Sequence, residues 1–184
     1  MQMMASGTRY NPLYTMEYTQ PSAVGLIEQY PRKLIVSRTM SKAFAFAGGR
    51  LGYAFASPEV IADLEKIKYS TNPYNINRLT LLLGEATVEA EDYYKARCRN
   101  IMETREWTAA QLKTLGFTVL PSKANFLFAK TDKMDGLELY KALKAKGILV
   151  RHFTSPRICQ FNRITIGTPA QMAVLVETLQ EVLP

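Results

Sequence analysis

Metal-binding and redox-active side chains are scarce: the 184 residues hold one histidine, His152, and two cysteines, Cys98 and Cys159. One imidazole and two thiols far apart in sequence cannot assemble a zinc or iron–sulfur ligand set, so no metal is expected and both cysteines are expected to remain thiols. Long apolar runs are absent too, which argues against a membrane partner. The opening MQMMASGTRYNPLY lacks the apolar core of a secretory signal, and cytoplasmic residence is expected. A basic run is also missing. Lysine and arginine outnumber aspartate and glutamate by 23 to 16, for a net charge of +7. Yet they are scattered among acids without interleaved aromatics, so we expect a solvated surface with some attraction for anionic ligands and no nucleic-acid partner.

What is present is the composition of an ordinary globular chain, 47% hydrophobic and 21% charged, long enough for one good core or two small domains. KLIVS (33–37) and LGYAFAS (51–57) read as short buried strands. SPEVIADLEKIKYS (57–70) reads as an amphipathic helix with a serine cap and proline at its first position. TNPYNINR breaks the pattern, and the proline-free stretch from Arg78 to Leu115 predicts one or two long helices ending at Gly116. After it, FTVLPSKANFLFAK predicts two strands about a proline turn, DGLELYKALKAKG a helix with a glycine stop, and ILVRHF and NRITIGT two strands. A closing helix begins with Thr168 as cap and Pro169 at its first position. This last part is an α+β lobe.

The segment SRTMSKAFAFAGGRLGYAFAS (37–57) places Lys42 on a connection between two strands, where ligand sites collect in α/β proteins. An amine that attacks a carbonyl must be partly deprotonated and desolvated, and the small apolar residues from Ala43 to Ala47 are expected to provide that setting. Thr39 and Ser41 add hydroxyls. Arg50 follows Gly48 and Gly49, whose missing side chains let backbone approach a ligand, and its planar fork fits a phosphate. An aldehyde cofactor that carries a phosphate, pyridoxal 5′-phosphate, needs such a set. A lysine and an arginine that flank a strand connection for solubility would look the same.

The stretch from Ser37 to Tyr53 resembles the cofactor-lysine signature of the fold-type I pyridoxal-phosphate aminotransferases, and in its wording that of the histidinol-phosphate aminotransferases. PSAVGLIEQYPRKLIVSRTMSKAF, NPYNINRLT, PSKANFLF, ILVRHF, PRI and RITIGT resemble the same family in order and spacing. The resemblance implies an α/β chain, the C-terminal part of a fold-type I PLP-dependent transferase. Residues 1–77 would be the end of the large cofactor domain, 78–115 a connecting helical segment and 116–184 a small α+β domain.

The same resemblance implies roles. Lys42 would be the Schiff-base lysine and proton carrier, with Thr39, Ser41 and Arg50 on the cofactor phosphate. Tyr14 would contact the cofactor ring oxygen, or else be a packing residue. Arg163 would grip the substrate α-carboxylate and Arg157 the substrate phosphate, although Arg157 also reads as a loop arginine. Asn125 lies on a substrate-side motif, or is a turn asparagine entering a strand. The implied substrates are histidinol phosphate and 2-oxoglutarate or glutamate, and the implied assembly a homodimer or other self-association. Within the superfamily, an aromatic amino-acid aminotransferase or a threonine-phosphate decarboxylase is the alternative, and outside it a non-catalytic remnant.

Two departures stand out. Asn11 occupies the position where the family carries an aspartate that pairs with the pyridine nitrogen, and a neutral amide holds that nitrogen protonated less well than a carboxylate. A complete member is also about twice as long, so this chain by itself is expected to be inactive.

Overall fold

A computed structural model describes residues 22–184; Asn11 and Tyr14 lie outside the described residues. Two compact units divide the chain, Met1–Ala96 and Arg97–Pro184.

In the first unit, a short 3₁₀ turn, Ala23–Leu26, precedes the strands β1 (Val36–Thr39) and β2 (Gly52–Phe55). They pair antiparallel, with Val36 opposite Phe55 and Thr39 opposite Gly52. A two-stranded ribbon has no layer on both faces, and here the outcome differs from the sequence reading: Val36 is buried, but all four residues of β2 are exposed. Gly52 is needed at this pairing, because a Cβ there would lie 2.7 Å from the Arg38 carbonyl oxygen. Helix α1 (Pro58–Thr71) starts as its sequence dictates. Ser57 is its cap, with Pro58 in the first turn, where a missing N–H costs nothing. Helix α2 (Arg78–Glu89) is capped by Asn77, whose side chain accepts from the Thr80 N–H at 2.8 Å. Helix α3 (Glu91–Thr114) follows after a break at Ala90.

The second unit is built on a four-stranded antiparallel sheet in the order β3-β4-β6-β5. Gly116, at φ +90°, turns the chain out of α3 into β3 (Phe117–Val119), and β4 (Phe126–Thr131) returns beside it. Asp135 caps α4 (Gly136–Ala145) by accepting from the backbone N–H groups of Leu137 and Glu138. Gly147, at φ +81°, ends that helix. The stretch expected as one strand, ILVRHF, contributes only Arg151–His152 to the ladder as β5. Ile148 is instead held back to the helix by its N–H bond to Leu143 O at 2.9 Å, so the first part of the run carries the chain from helix end to sheet edge. β6 (Asn162–Thr165) lies between β4 and β5. Helix α5 (Pro169–Val182) begins with a reciprocal capping box between Thr168 and Gln171.

Side chains alternate across strands, and the two faces of this sheet differ. Leu127, Ala129 and Ile164 face a core completed by Leu112, Leu139, Leu143, Met172, Leu175 and Leu179. The opposite face carries Phe126, Phe128, Arg163 and Arg151 in adjoining register positions. Among the described residues no helix is long and apolar enough to cross a membrane, and no cluster of three or more His, Cys, Asp or Glu side chains is placed to hold a metal ion.

Candidate active-site segments

The connection between β1 and β2 is held by its own backbone. Met40 N–H bonds to Leu51 O at 3.0 Å, closing the base of the loop. Within it Phe46 N–H bonds to Met40 O, Ala45 N–H to Lys42 O and Gly49 N–H to Phe46 O. Met40 and Ala43 are buried and anchor it, and Phe44 packs edge-on against Tyr94 with ring centroids 5.6 Å apart. Two residues other than glycine take the left-handed conformation, Ala45 at φ 50° and Arg50 at φ 53°. Such backbone strain persists only where the surroundings over-determine it, and it gathers at ligand sites.

Four of the expected side chains come from the end of β1 and this loop. Thr39 Oγ1 and Ser41 Oγ are 2.7 Å apart, and the Ser41 N–H donates to Thr39 Oγ1 at 3.2 Å. One hydroxyl proton is spent between the two oxygens, which leaves the other free to point at an anion. Arg50 is exposed and uses Nη1 on the Ala47 carbonyl at 3.2 Å; a guanidinium has five N–H donors, so its fork can still serve a phosphate. Lys42 is exposed, which corrects the expected desolvation: its small apolar neighbours turn elsewhere, Ala43 inward and Phe44 toward Tyr94. A second correction concerns the glycines. Nothing lies within 4 Å of a Cβ at Gly48, whereas at Gly49 the Phe46 ring occupies that space, so Gly49 makes room for a side chain and not for a ligand. The donor set of two hydroxyls, a guanidinium and a primary amine within one short loop fits a phosphorylated aldehyde.

In the second unit Arg163 sits mid-sheet, half-buried, with its guanidinium carbon 5.4 Å from the centroid of the Phe126 ring. Its Nε is buried without a hydrogen-bond partner. Arg151 is its register partner on β5, with its own guanidinium 5.6 Å from the Phe153 ring. Like charges directly opposite in a sheet repel, and each here turns to a different aromatic face. Phe128, on the far side of Arg163 in the same row, stacks on Phe161 at 4.7 Å and meets Phe153 edge-on at 5.7 Å. Sequence reasoning missed Arg151, because only the strand register puts it beside Arg163. Asn125 is half-buried at the entry to β4, its carbonyl accepting from Ile166 N–H at 2.9 Å. Arg157 is exposed in the turn closed by Ile158 N–H to Ser155 O, off the strands that bring Arg163 and Arg151 together.

The profile of one family, described as aminotransferase class I and II, matches residues 6–179. The chain belongs to the class I and II aminotransferases. Enzymes of this family depend on pyridoxal phosphate. A histidinol-phosphate aminotransferase of Acinetobacter baylyi is 44% identical over 165 residues, 90% of this chain and 45% of that protein. Histidinol-phosphate aminotransferase 1 of Pseudomonas fluorescens is 42% identical over 166 residues, 90% of this chain and 47% of that protein. Among solved structures, a putative histidinol-phosphate aminotransferase from Erwinia carotovora atroseptica superposes with a TM-score of 0.77 at 26% identity, over 91% of this chain and 47% of that one. The enzyme from Sinorhizobium meliloti, solved in complex with pyridoxal-5'-phosphate, gives 0.66 at 25% identity, over 82% and 42%. This aminotransferase chain thus spans about half the length of the curated relatives it matches.

Proposed function

We propose that this chain supplies the cofactor lysine and the substrate-binding arginines of a histidinol-phosphate aminotransferase, which exchanges an amino group between L-histidinol phosphate and 2-oxoglutarate. The observation that carries the reading is the row Phe128–Arg163–Arg151 on one sheet face: two arginines in adjoining register positions, each resting on its own aromatic ring, suit a pair of substrates whose anionic groups differ. In this reading Arg163 takes a carboxylate of glutamate or 2-oxoglutarate, and Arg151 takes the phosphate of histidinol phosphate, with Arg157 on its exposed turn as the other candidate for that phosphate. Thr39, Ser41 and Arg50 hold the cofactor phosphate, and Tyr14 meets the cofactor ring. Pyridoxal phosphate, when bound, supplies the electron sink for amino transfer. Lys42 Nζ presents the amine that holds the cofactor and then carries a proton. Because Lys42 is exposed among the described residues, its desolvation comes from whatever covers the loop in the working enzyme, which we take to be a cytoplasmic homodimer.

The test is a comparison of the two half-reactions in the active enzyme. Arg163→Lys should weaken mainly the reaction with glutamate and 2-oxoglutarate, whose carboxylate it takes, since a lysine cannot reproduce the bidentate fork. Arg151→Lys should weaken mainly the reaction with histidinol phosphate. Each charge-assisted contact is worth about 1.5–3 kcal/mol, or about 10- to 150-fold. Equal losses in both half-reactions for the Arg151 variant, or a selective loss only in Arg157→Lys, would reassign the phosphate contact; no loss in Arg163→Lys would overturn the reading.

A further inference from the structure

Arg105 has no part in the proposed chemistry, yet it is buried. It lies in α3 with its side chain 1% exposed, and burying a guanidinium is costly enough that an apolar residue of similar volume often serves stability as well or better. A retained buried arginine therefore calls for a use. Its Nη1 donates to the Ala124 carbonyl at 3.0 Å, while Nε and Nη2 donate to Oε1 of the neighbouring Glu106 at 3.1 and 2.9 Å. Ala124 belongs to the turn that feeds β4, and this turn is tied down from its other side as well. Ser122 Oγ donates to Phe126 O at 2.6 Å and accepts from Ala124 N–H at 3.2 Å. The residues so fixed are Asn125 and Phe126. The Phe126 ring is the face under the Arg163 guanidinium, and the Asn125 carbonyl holds Ile166, just past the end of β6.

We propose that Arg105 is a positioning residue for Arg163, acting through the Ser122–Phe126 turn: it fixes the Ala124 carbonyl, hence the start of β4 and the Phe126 ring on which the Arg163 guanidinium rests. The inference rests on the reading of Arg163 as the carboxylate-binding arginine. Arg163 Nε is buried without a hydrogen-bond partner, so its orientation depends on that ring more than an ordinary arginine's would. The coupling is directional. Arg151 leans on Phe153, outside the turn, and that ring meets β4 only at Phe128, two residues beyond Phe126, so Arg151 should depend on Arg105 far less.

The experiment compares Arg105→Met, Arg105→Lys and Ser122→Ala with the unmodified chain, using the Nε–H resonances of Arg163 and Arg151 and titration with 2-oxoglutarate. In Arg105→Met the Arg163 resonance should move as the Phe126 ring current changes, while that of Arg151 stays, and 2-oxoglutarate affinity should fall about 10-fold. Arg105→Lys, which keeps a donor, should recover part of both effects, and Ser122→Ala should reproduce them in weaker form if Arg105→Met does not fold. Shifts of both arginines together, or none at Arg163 in Arg105→Met and Ser122→Ala, would overturn the proposal. If 2-oxoglutarate binds the Arg163→Ala variant as it binds the unmodified chain, or binds neither, the functional reading of Arg163 fails, and the resonance comparison still decides the positioning role.

Discussion

Replacing Gly136 with alanine sets two physical arguments against each other. Gly136 is the first residue of α4 and is buried. By helix propensity alone, alanine should stabilise the protein by about 0.5–1 kcal/mol. Packing argues the opposite. A Cβ at this position would lie 2.5 Å from the Cys159 carbonyl oxygen and 2.8 Å from the Cα and carbonyl carbon of Gln160, and these are backbone atoms that no rotamer change can remove. Overpacking a fixed site costs about 1–3 kcal/mol. Moving the helix away would stretch two hydrogen bonds, Gly136 N–H to Gln160 Oε1 at 3.1 Å and Asn162 Nδ2 to Gly136 O at 2.8 Å, each worth about 1 kcal/mol. The net is a destabilisation of roughly 2–4 kcal/mol, a fall in Tm on the order of 10–30 °C for a unit of this size. Thermal melting followed by circular dichroism reads it directly. Gly147→Ala is the control for backbone strain, since its φ is +81° with open space around it, and it should cost only about 1–2 kcal/mol. A Gly136→Ala protein as stable as the parent, or more so, would refute the packing argument.

Two further outcomes follow from local geometry. A hydrogen bond from Gln160 holds the Asp135 carboxyl below its ordinary value of 3.8, with the Leu137 N–H adding to it. A lowered native pKa contributes stability that is present above about pH 4 and lost as the pH falls through the native value; Asp135→Asn keeps a capping acceptor but cannot titrate, so its Tm should fall less steeply under acid than that of the parent, and parallel melting curves would refute the assignment. Gly49→Ala should displace the Phe46 ring that fills the space beside it and lower pyridoxal phosphate binding, measured by absorbance titration, with Phe46→Ala restoring it in the double variant; undiminished binding in the single variant would show that the loop absorbs the methyl group.

The parts of the fold legible in the sequence are those fixed within a few residues. Ser57 with Pro58, Thr168 with Pro169, and the stop at Gly116 mark helix ends because caps act over one turn, and the helices begin or end there. What depends on distant partners was not legible. ILVRHF has the composition of a six-residue strand, but only two of its residues find a partner on β6. Nothing in the sequence pairs Arg151 with Arg163; only the register sets them opposite each other. The exposure of Lys42 is not legible in its apolar neighbours, because of these Ala43 turns inward and Phe44 packs on Tyr94, so the local chain does not by itself cover the amine. The need for a glycine at 49 was legible, but its cause, the ring of Phe46, was not.

The proposed function makes Lys42 the amine that takes the cofactor. Incubation with pyridoxal 5′-phosphate, borohydride reduction and peptide mapping tests it directly: the label should fall on the peptide that contains Lys42 and disappear in Lys42→Arg, whereas label spread over the exposed lysines, or kept in that variant, would contradict it.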